Sequence, residues 1–137
     1  MVRVKLDQET VGLSLVMENV SGARVKDCFQ DDDTIYFIVA QGEIGKAIGK
    51  SGMNIKRVQD ELHKKIKVVE FRERMEDFVR NIIYPVSVQQ IVEEENVIIL
   101  KDNSSKTKGL LIGRSGKNLK FINRAVQRFF GKEVRVE

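Results

Sequence analysis

The chain has 137 residues and a mass of 15.7 kDa, with 42% hydrophobic residues, 32% charged residues and a net charge of +4. It is long enough for one ordinary domain or two small ones, and hydrophobic enough to fold around a core. No apolar run approaches the ~18 residues of a membrane span, no secretory signal is visible, and the single cysteine, Cys28, excludes an intrachain disulfide. We therefore expect a cytoplasmic protein with no membrane contact and with Cys28 buried in a strand.

The hydrophobic pattern predicts an alternation of helices and strands along the first half of the chain. In chain order the predicted elements are a helix at 9–20, strands at 23–29 and 35–40 around an acidic turn at 31–33, a short and a longer helix on either side of the loop IGKSG at 48–52, and a strand at 65–69. The order is helix, strand, strand, helix, loop, helix, strand.

The second half repeats this order. IGKSGMNIK at 48–56 aligns with IGRSGKNLK at 112–120, and six of the nine positions are identical. The predicted elements of this half are a helix at about 74–84 ended by Pro85, strands at 86–92 and 97–100 around the acidic turn 93–95, helices flanking the second loop, and a strand at 132–136. The offset between the copies grows from 64 at the loops to 68 at the last strand, which predicts one extra turn in the second long helix. We predict two domains, 1–72 and 73–137, and a stiff pair, since the joining EFRER has no Gly, Pro or Ser.

Basic charge is concentrated around the two glycine loops. Residues 42–67 carry seven Lys or Arg against three acidic residues, and residues 101–137 carry ten against three. Segregation of this kind favours a polyanionic partner, with an ordinary solvated surface as the alternative.

The loops do not match a nucleotide-binding motif. A P-loop needs a glycine five positions before the glycine of its Gly-Lys-Ser, with four residues between the two, and that place is taken by Ile44 in one copy and Lys108 in the other. What remains is a Gly-x-x-Gly turn that opens a helix, where backbone amides, the helix dipole and the basic Lys50 or Arg114 can cradle the phosphates of a strand. The alternative is a plain turn between two helices.

These loops, in this order of elements, resemble the KH domain, an RNA-binding module with a Gly-x-x-Gly loop between two helices. The arrangement is similar to the type II form, and the tandem is similar to the short archaeal members of the NusA family of transcription factors. The resemblance implies an α+β fold of two tandem type II KH domains, each with a three-stranded sheet packed on helices.

The resemblance also implies which residues contact RNA. They are Ile48, Gly49, Lys50, Ser51, Gly52, Asn54 and Lys56 around the first loop, and Ile112, Gly113, Arg114, Ser115, Gly116, Asn118 and Lys120 around the second. The glycines, Lys50, Arg114 and the serines would hold the RNA backbone, and the isoleucines would either form an apolar floor for bases or belong to the core. The asparagines and later lysines would reach phosphates or base edges, with Lys46, Lys108 and Lys117 as electrostatic helpers.

The resulting hypothesis is a monomeric single-stranded RNA-binding protein, a NusA-like regulator of transcription elongation or termination, with two clamps of about four nucleotides each. No catalytic, metal or cofactor site is expected, because the only histidine, His63, lies on a charged helix face and no Cys/His cluster is present. Base stacking should be minor, since Phe71, Phe121, Phe129 and Phe130 fall at core or helix positions. The alternative is a scaffold that docks RNA polymerase or a ribosomal particle. Single-stranded DNA remains open as a rival ligand.

Overall fold

The structure is a computed structural model that describes residues 8–137. The chain forms two compact units, the first ending at Glu73 and the second running from Arg74 to Glu137. Each unit contains helices and a three-stranded sheet, so the fold is α+β as predicted. Residues 1–7, with which the predicted first domain begins, lie outside the described residues.

The first unit follows the predicted order of elements. They are α1 (Gln8–Ser21), β1 (Val25–Gln30), β2 (Thr34–Val39), α2 (Ile44–Ile48), a turn of 3-10 helix (Lys50–Gly52), α3 (Met53–Leu62) and β3 (Lys65–Glu70). β1 pairs antiparallel with β2, and β2 pairs parallel with β3. Neighbouring parallel strands need a crossover connection, which here is the α2–loop–α3 segment.

The core of this unit lies between the sheet and the helices. Met17 of α1, Phe37 of β2 and Val58 of α3 are fully buried and belong to one hydrophobic cluster. Cys28 is 1% exposed in the same cluster, which confirms its prediction as a buried strand residue. From α1, the partly buried side chains Leu13, Val16 and Val20 pack against this cluster.

The acidic turn between β1 and β2 is built by its first residue. One carboxylate oxygen of Asp31 accepts the backbone N–H groups of Asp33 and Thr34 at 2.8 and 2.9 Å. The other accepts the hydroxyl of Tyr36 at 2.8 Å. Asp31 therefore has a structural role that charge alone did not indicate, because a carboxylate can take the place of a backbone acceptor in a tight turn.

The second unit repeats the order and the strand pairing of the first. Its elements are α4 (Met75–Ile83), β4 (Gln90–Glu93), β5 (Val97–Lys101), α5 (Ser105–Ile112), a turn of 3-10 helix (Arg114–Gly116), α6 (Lys117–Phe130) and β6 (Glu133–Val136). The helix α6 has 14 residues and α3 has 10, which confirms the predicted extra turn. Its buried face is formed by Phe121, Ile122, Ala125 and Val126.

One predicted strand is wrong over most of its length. The pattern VSVQQIV at 86–92 predicted a strand, but β4 begins only at Gln90. The backbone N–H of Val86 donates to the carbonyl of Ile83, and that of Gln89 donates to the side chain of Asp102. These residues take their hydrogen-bond partners from a turn and from a side chain, so they are not available to a strand ladder.

Within residues 8–137, no helix has both the length and the apolar character needed to cross a membrane.

Candidate nucleic-acid interface

Each glycine loop lies in the middle of a crossover and has an unusual backbone. Gly49 has φ 77° and ψ 170°, a region that is essentially restricted to glycine. Ser51 and Gly52 follow in the left-handed region, with φ 55° and 75°. The N–H of Gly52 donates to the carbonyl of Gly49 at 3.1 Å, which closes the turn. The first glycine is therefore required by its conformation.

The second loop has the same backbone. Gly113 has φ 75° and ψ 174°, Ser115 has φ 56° and ψ 26°, and Gly116 has φ 74° and ψ 14°. Each angle lies within 4° of its counterpart in the first loop, where Ser51 has ψ 28° and Gly52 has ψ 14°. A left-handed serine costs roughly 1–2 kcal/mol. The same strained conformation in both units indicates one defined loop structure, more specific than an arbitrary turn between helices.

An asparagine from the following helix holds each loop. The side-chain nitrogen of Asn54 donates to the carbonyl of Lys46 at 2.8 Å, which ties the start of α3 back to α2. A Cβ placed on Gly49 would lie 2.7 Å from the Cγ of Asn54, well inside the normal contact distance. The asparagine and the glycine therefore fit together as a pair. This amide group, predicted to reach RNA, makes an internal hydrogen bond.

The second unit contains the same pair. Asn118 donates to the carbonyl of Leu110 at 2.9 Å, and a Cβ on Gly113 would lie 2.8 Å from its Cγ. The sequence did contain a signal for this contact, since the asparagine is one of the identical positions of the repeat.

The basic side chains predicted for the interface are mostly exposed. Lys50 and Arg114 lie on the loops, and Lys56 and Lys120 lie one turn further along their helices. The N-caps of α3 and α6 are Gly52 and Gly116, which have no side chain that could cap the first backbone N–H groups of the helix. The positive ends of both helix dipoles therefore meet the loops without a capping carboxylate or hydroxyl.

The predicted electrostatic helper before the first loop is partly neutralised. The ammonium group of Lys46 lies 3.1 Å from a carboxylate oxygen of Glu43. The hydrogen bond from Lys46, together with one from the backbone of Arg24, lowers the pKa of Glu43 below its ordinary value. The other two predicted helpers, Lys108 and Lys117, are half-buried.

Exposed apolar side chains flank both loops. Ile48 is 37% exposed and Ile112 is 39% exposed, so neither side chain is fully buried in the core. Met53, directly after the first loop, is 66% exposed, and Leu110, just before the second, is 51% exposed. The sequence pattern indicated neither, because an apolar residue on an amphipathic helix is normally assigned to the core.

The phenylalanine rings that were predicted at core or helix positions are buried or half-buried. Phe121 is buried, and Phe129 packs edge-on against Phe78 with 5.5 Å between ring centroids. In the first unit Phe71 is half-buried, with the ammonium of Lys26 4.6 Å from its ring centroid. These rings are already used in packing and cation–π contacts.

Comparison with known proteins identifies relatives of this chain. Residues 13–84 match the KH domain family. The chain is 34% identical to "Probable transcription termination protein NusA" of Methanococcus vannielii over 91% of this chain and 72% of that protein. It is 32% identical to the protein of the same name from Halococcus morrhuae over 94% of both chains. A solved structure described as "Crystal structure of APE1850" has a TM-score of 0.78 and 30% identity, and the match covers 96% of this chain and 100% of that one.

Proposed function

Since this chain belongs to the KH domain family, and within it to the short archaeal NusA-like proteins, we propose that it regulates transcription elongation or termination by holding single-stranded RNA. The fold is then a tandem of two type II KH domains, 1–72 and 73–137, each with a Gly-x-x-Gly clamp. The protein acts as a monomer in the cytoplasm and without catalysis. The proposed ligand is RNA, and single-stranded DNA is the rival ligand that the binding assay below tests.

The two loops of matching backbone support this proposal most directly. At each loop the glycines leave room for the strand, and an uncapped helix end offers backbone amides and a positive dipole. Lys50 in the first loop and Arg114 in the second each add a full positive charge that attracts phosphates to the loop. Each clamp accepts about four nucleotides.

Covalent connection of the two clamps strengthens their binding. Once one clamp holds the strand, the second meets it at a raised effective concentration, so two weak sites together reach a useful affinity. Phosphate contacts dominate, and the affinity therefore falls steeply with salt. Exposed apolar side chains beside the loops, among them Ile48, Met53 and Ile112, provide surfaces for bases.

A binding assay with loop variants tests the proposal. A 15-nucleotide single-stranded RNA of mixed sequence is titrated at two salt concentrations against the wild type and against a variant in which Lys50, Ser51, Arg114 and Ser115 are all changed to Asp. The variant should lose salt-sensitive binding and keep its circular dichroism spectrum, because all four side chains are exposed and Asp tolerates a left-handed backbone.

A matched control removes the same net charge from the strands. Changing Lys65, Lys101 and Arg135 to Asp alters the net charge by the same six units, and all three residues are exposed on β3, β5 and β6. This control should keep most of the RNA affinity. If both variants lost the same RNA affinity, the effect would come from net charge alone and not from the loops. A wild type without affinity for RNA would refute the proposal. The same oligonucleotide made as DNA tests the preference for RNA.

A second candidate function is a scaffold that docks RNA polymerase or a ribosomal particle. It is favoured by α1, where Val11 and Leu15 are 44% and 50% exposed at a spacing of four residues, with open space around Gly12 between them. Docking through this helix does not need Lys50 or Arg114. A partner that binds the loop variant as well as the wild type, and that RNA does not displace, would support this candidate.

A further inference from the structure

The side chain of Asn123, in the middle of α6, is bound to the last strand of the second unit. Its Oδ1 accepts the backbone N–H of Val134 at 2.8 Å, and its Nδ2 donates to the carbonyl of the same residue at 3.2 Å. The Nδ2 also donates to the carbonyl of Leu119, one turn earlier in the helix, at 3.2 Å. One amide group therefore satisfies both backbone groups of Val134.

These two backbone groups lie on the outer edge of the sheet. The N–H of Glu133, the residue before Val134, donates to the carbonyl of Asn96 on the β5 side. Because the hydrogen-bonding direction alternates along a strand, Val134 directs its N–H and C=O away from β5. Asn123 thus closes the outer edge of β6 at this residue, and Val134 is 2% exposed.

The first unit leaves the equivalent edge open. Lys65 donates to the carbonyl of Asp33 on the β2 side, so the next residue, Ile66, directs its N–H and C=O outward from β3. The helix position equivalent to Asn123, at the repeat offset of 64, is occupied by Gln59, which is exposed. Within residues 8–137 no side chain is hydrogen-bonded to the backbone of Ile66, and this residue stays partly exposed.

An open strand edge offers one donor and one acceptor, a pattern that the Watson–Crick edge of an unpaired base can match. The amide of Asn123 is itself a planar group with one acceptor and a donor, so it takes the place of such a base in the second unit. Asn123 lies seven residues after Gly116, about 10 Å from the loop along the axis of α6. Four nucleotides with a rise of roughly 3.4 Å each cover a similar distance.

We propose that Asn123 makes the second clamp indifferent to the bases of the strand it holds, and that discrimination between bases is left to the first clamp. The backbone edge that can read a base is occupied by Asn123 in the second unit and is open at Ile66 in the first. The second clamp therefore holds any strand through its phosphates, and the first clamp selects the position of the protein on the RNA. This inference rests on the proposed RNA clamp.

The test compares the two clamps one at a time. Changing Lys50 and Ser51 to Asp leaves only the second clamp, and changing Arg114 and Ser115 to Asp leaves only the first. Chemical-shift titrations measure the affinities of the tetranucleotide UUUU and of its variants with one A, C or G at one position. The first clamp should prefer one base at one position at least about fivefold, the effect of one net hydrogen bond, whereas the affinities of the second should agree within about twofold.

Opening the second edge should produce a gain of function. With only the second clamp active, Asn123→Ala should create a base preference of at least about fivefold, and the amide resonance of Val134 should shift with the preferred base alone. Asn123→Ser is a second variant, because a serine hydroxyl can bond back to the carbonyl of Leu119 but is too short to satisfy both groups of Val134. Gln127→Ala removes an exposed amide from α6 one turn later and is the matched control, which should create no preference.

The outcomes separate this inference from the clamp itself. If Asn123 only stabilised the fold, its variants would lower all affinities together without creating a preference, and that result overturns the proposal. A second clamp that already discriminates as strongly as the first overturns it as well, and this comparison needs no change of Asn123. A first clamp without preference, or the same gain from Gln127→Ala, has the same consequence. In all these cases loop-dependent binding persists and the clamp stands, whereas absence of any loop-dependent binding overturns both proposals.

Discussion

Replacing Gly49 by alanine tests how the first loop is held. The backbone there, φ 77° and ψ 170°, is costly for any residue with a Cβ, by roughly 1–3 kcal/mol. The new Cβ would also lie 2.7 Å from the Cγ and Nδ2 of Asn54 and 2.9 Å from its backbone nitrogen. If Asn54 moves away to relieve this contact, its hydrogen bond to the carbonyl of Lys46 is lost, which lowers the free energy of unfolding by about 1 kcal/mol. We expect a loss of about 3 kcal/mol in the free energy of unfolding.

Two other glycines serve as controls in the same urea denaturation experiment. Gly52 has a left-handed φ of 75°, but no atom lies within 4 Å of the place that an alanine Cβ would take, so Gly52→Ala should cost only about 1 kcal/mol. Gly12 lies inside α1 with open space around it, and Gly12→Ala should stabilise the protein by about 1 kcal/mol. If Gly49→Ala cost no more than Gly52→Ala, the contact between the loop and Asn54 would have no energetic weight and our explanation of the loop would be wrong.

Two further predictions follow from the hydrogen bonds. Asn118→Asp keeps the size of the side chain but cannot donate to the carbonyl of Leu110. It should therefore weaken RNA binding and the free energy of unfolding by about as much as Asn118→Ala, roughly 1 kcal/mol. An Asp variant that behaves like the wild type would show that packing of the side chain, and not its hydrogen bond, supports the loop. Burial, and then the hydrogen bond to Asp31, raises the pKa of Tyr36 from 10.0 to about 12. Because the folded state favours the neutral phenol, the contribution of Tyr36 to the free energy of unfolding is complete below pH 10 and is lost as the pH rises towards 12. The free energy of unfolding of Tyr36→Phe, measured over the same pH range, should therefore decline less than that of the wild type.

The repeat made much of the fold predictable. An offset that grows from 64 to 68 residues predicted a longer second helix, and α6 is four residues longer than α3. The positions of the loops followed from the glycines, because few other residues permit such backbones. The hydrophobic pattern predicted helices at 9–20 and about 74–84, and the structure has α1 at Gln8–Ser21 and α4 at Met75–Ile83.

Other features depend on partners that are distant in sequence and could not be predicted. Residues 86–89 have a strand-like pattern, but the N–H of Gln89 finds an acceptor in Asp102, thirteen residues away. The left-handed backbone of Ser51 and Ser115 has no signal in residue type, since serine rarely adopts it. The exposure of Met53 depends on which side of α3 faces the sheet at its first turn, where periodicity is weakest.

The agreement of the two loop backbones makes them exchangeable parts. Between Gly49–Asn54 and Gly113–Asn118 only two positions differ, Lys50 against Arg114 and Met53 against Lys117. Transplanting either six-residue cassette into the other unit would therefore alter two side chains while keeping the same glycines and the same supporting asparagine. Such exchanges would separate the contribution that the loop residues make to RNA affinity from the contribution of the unit that carries the loop.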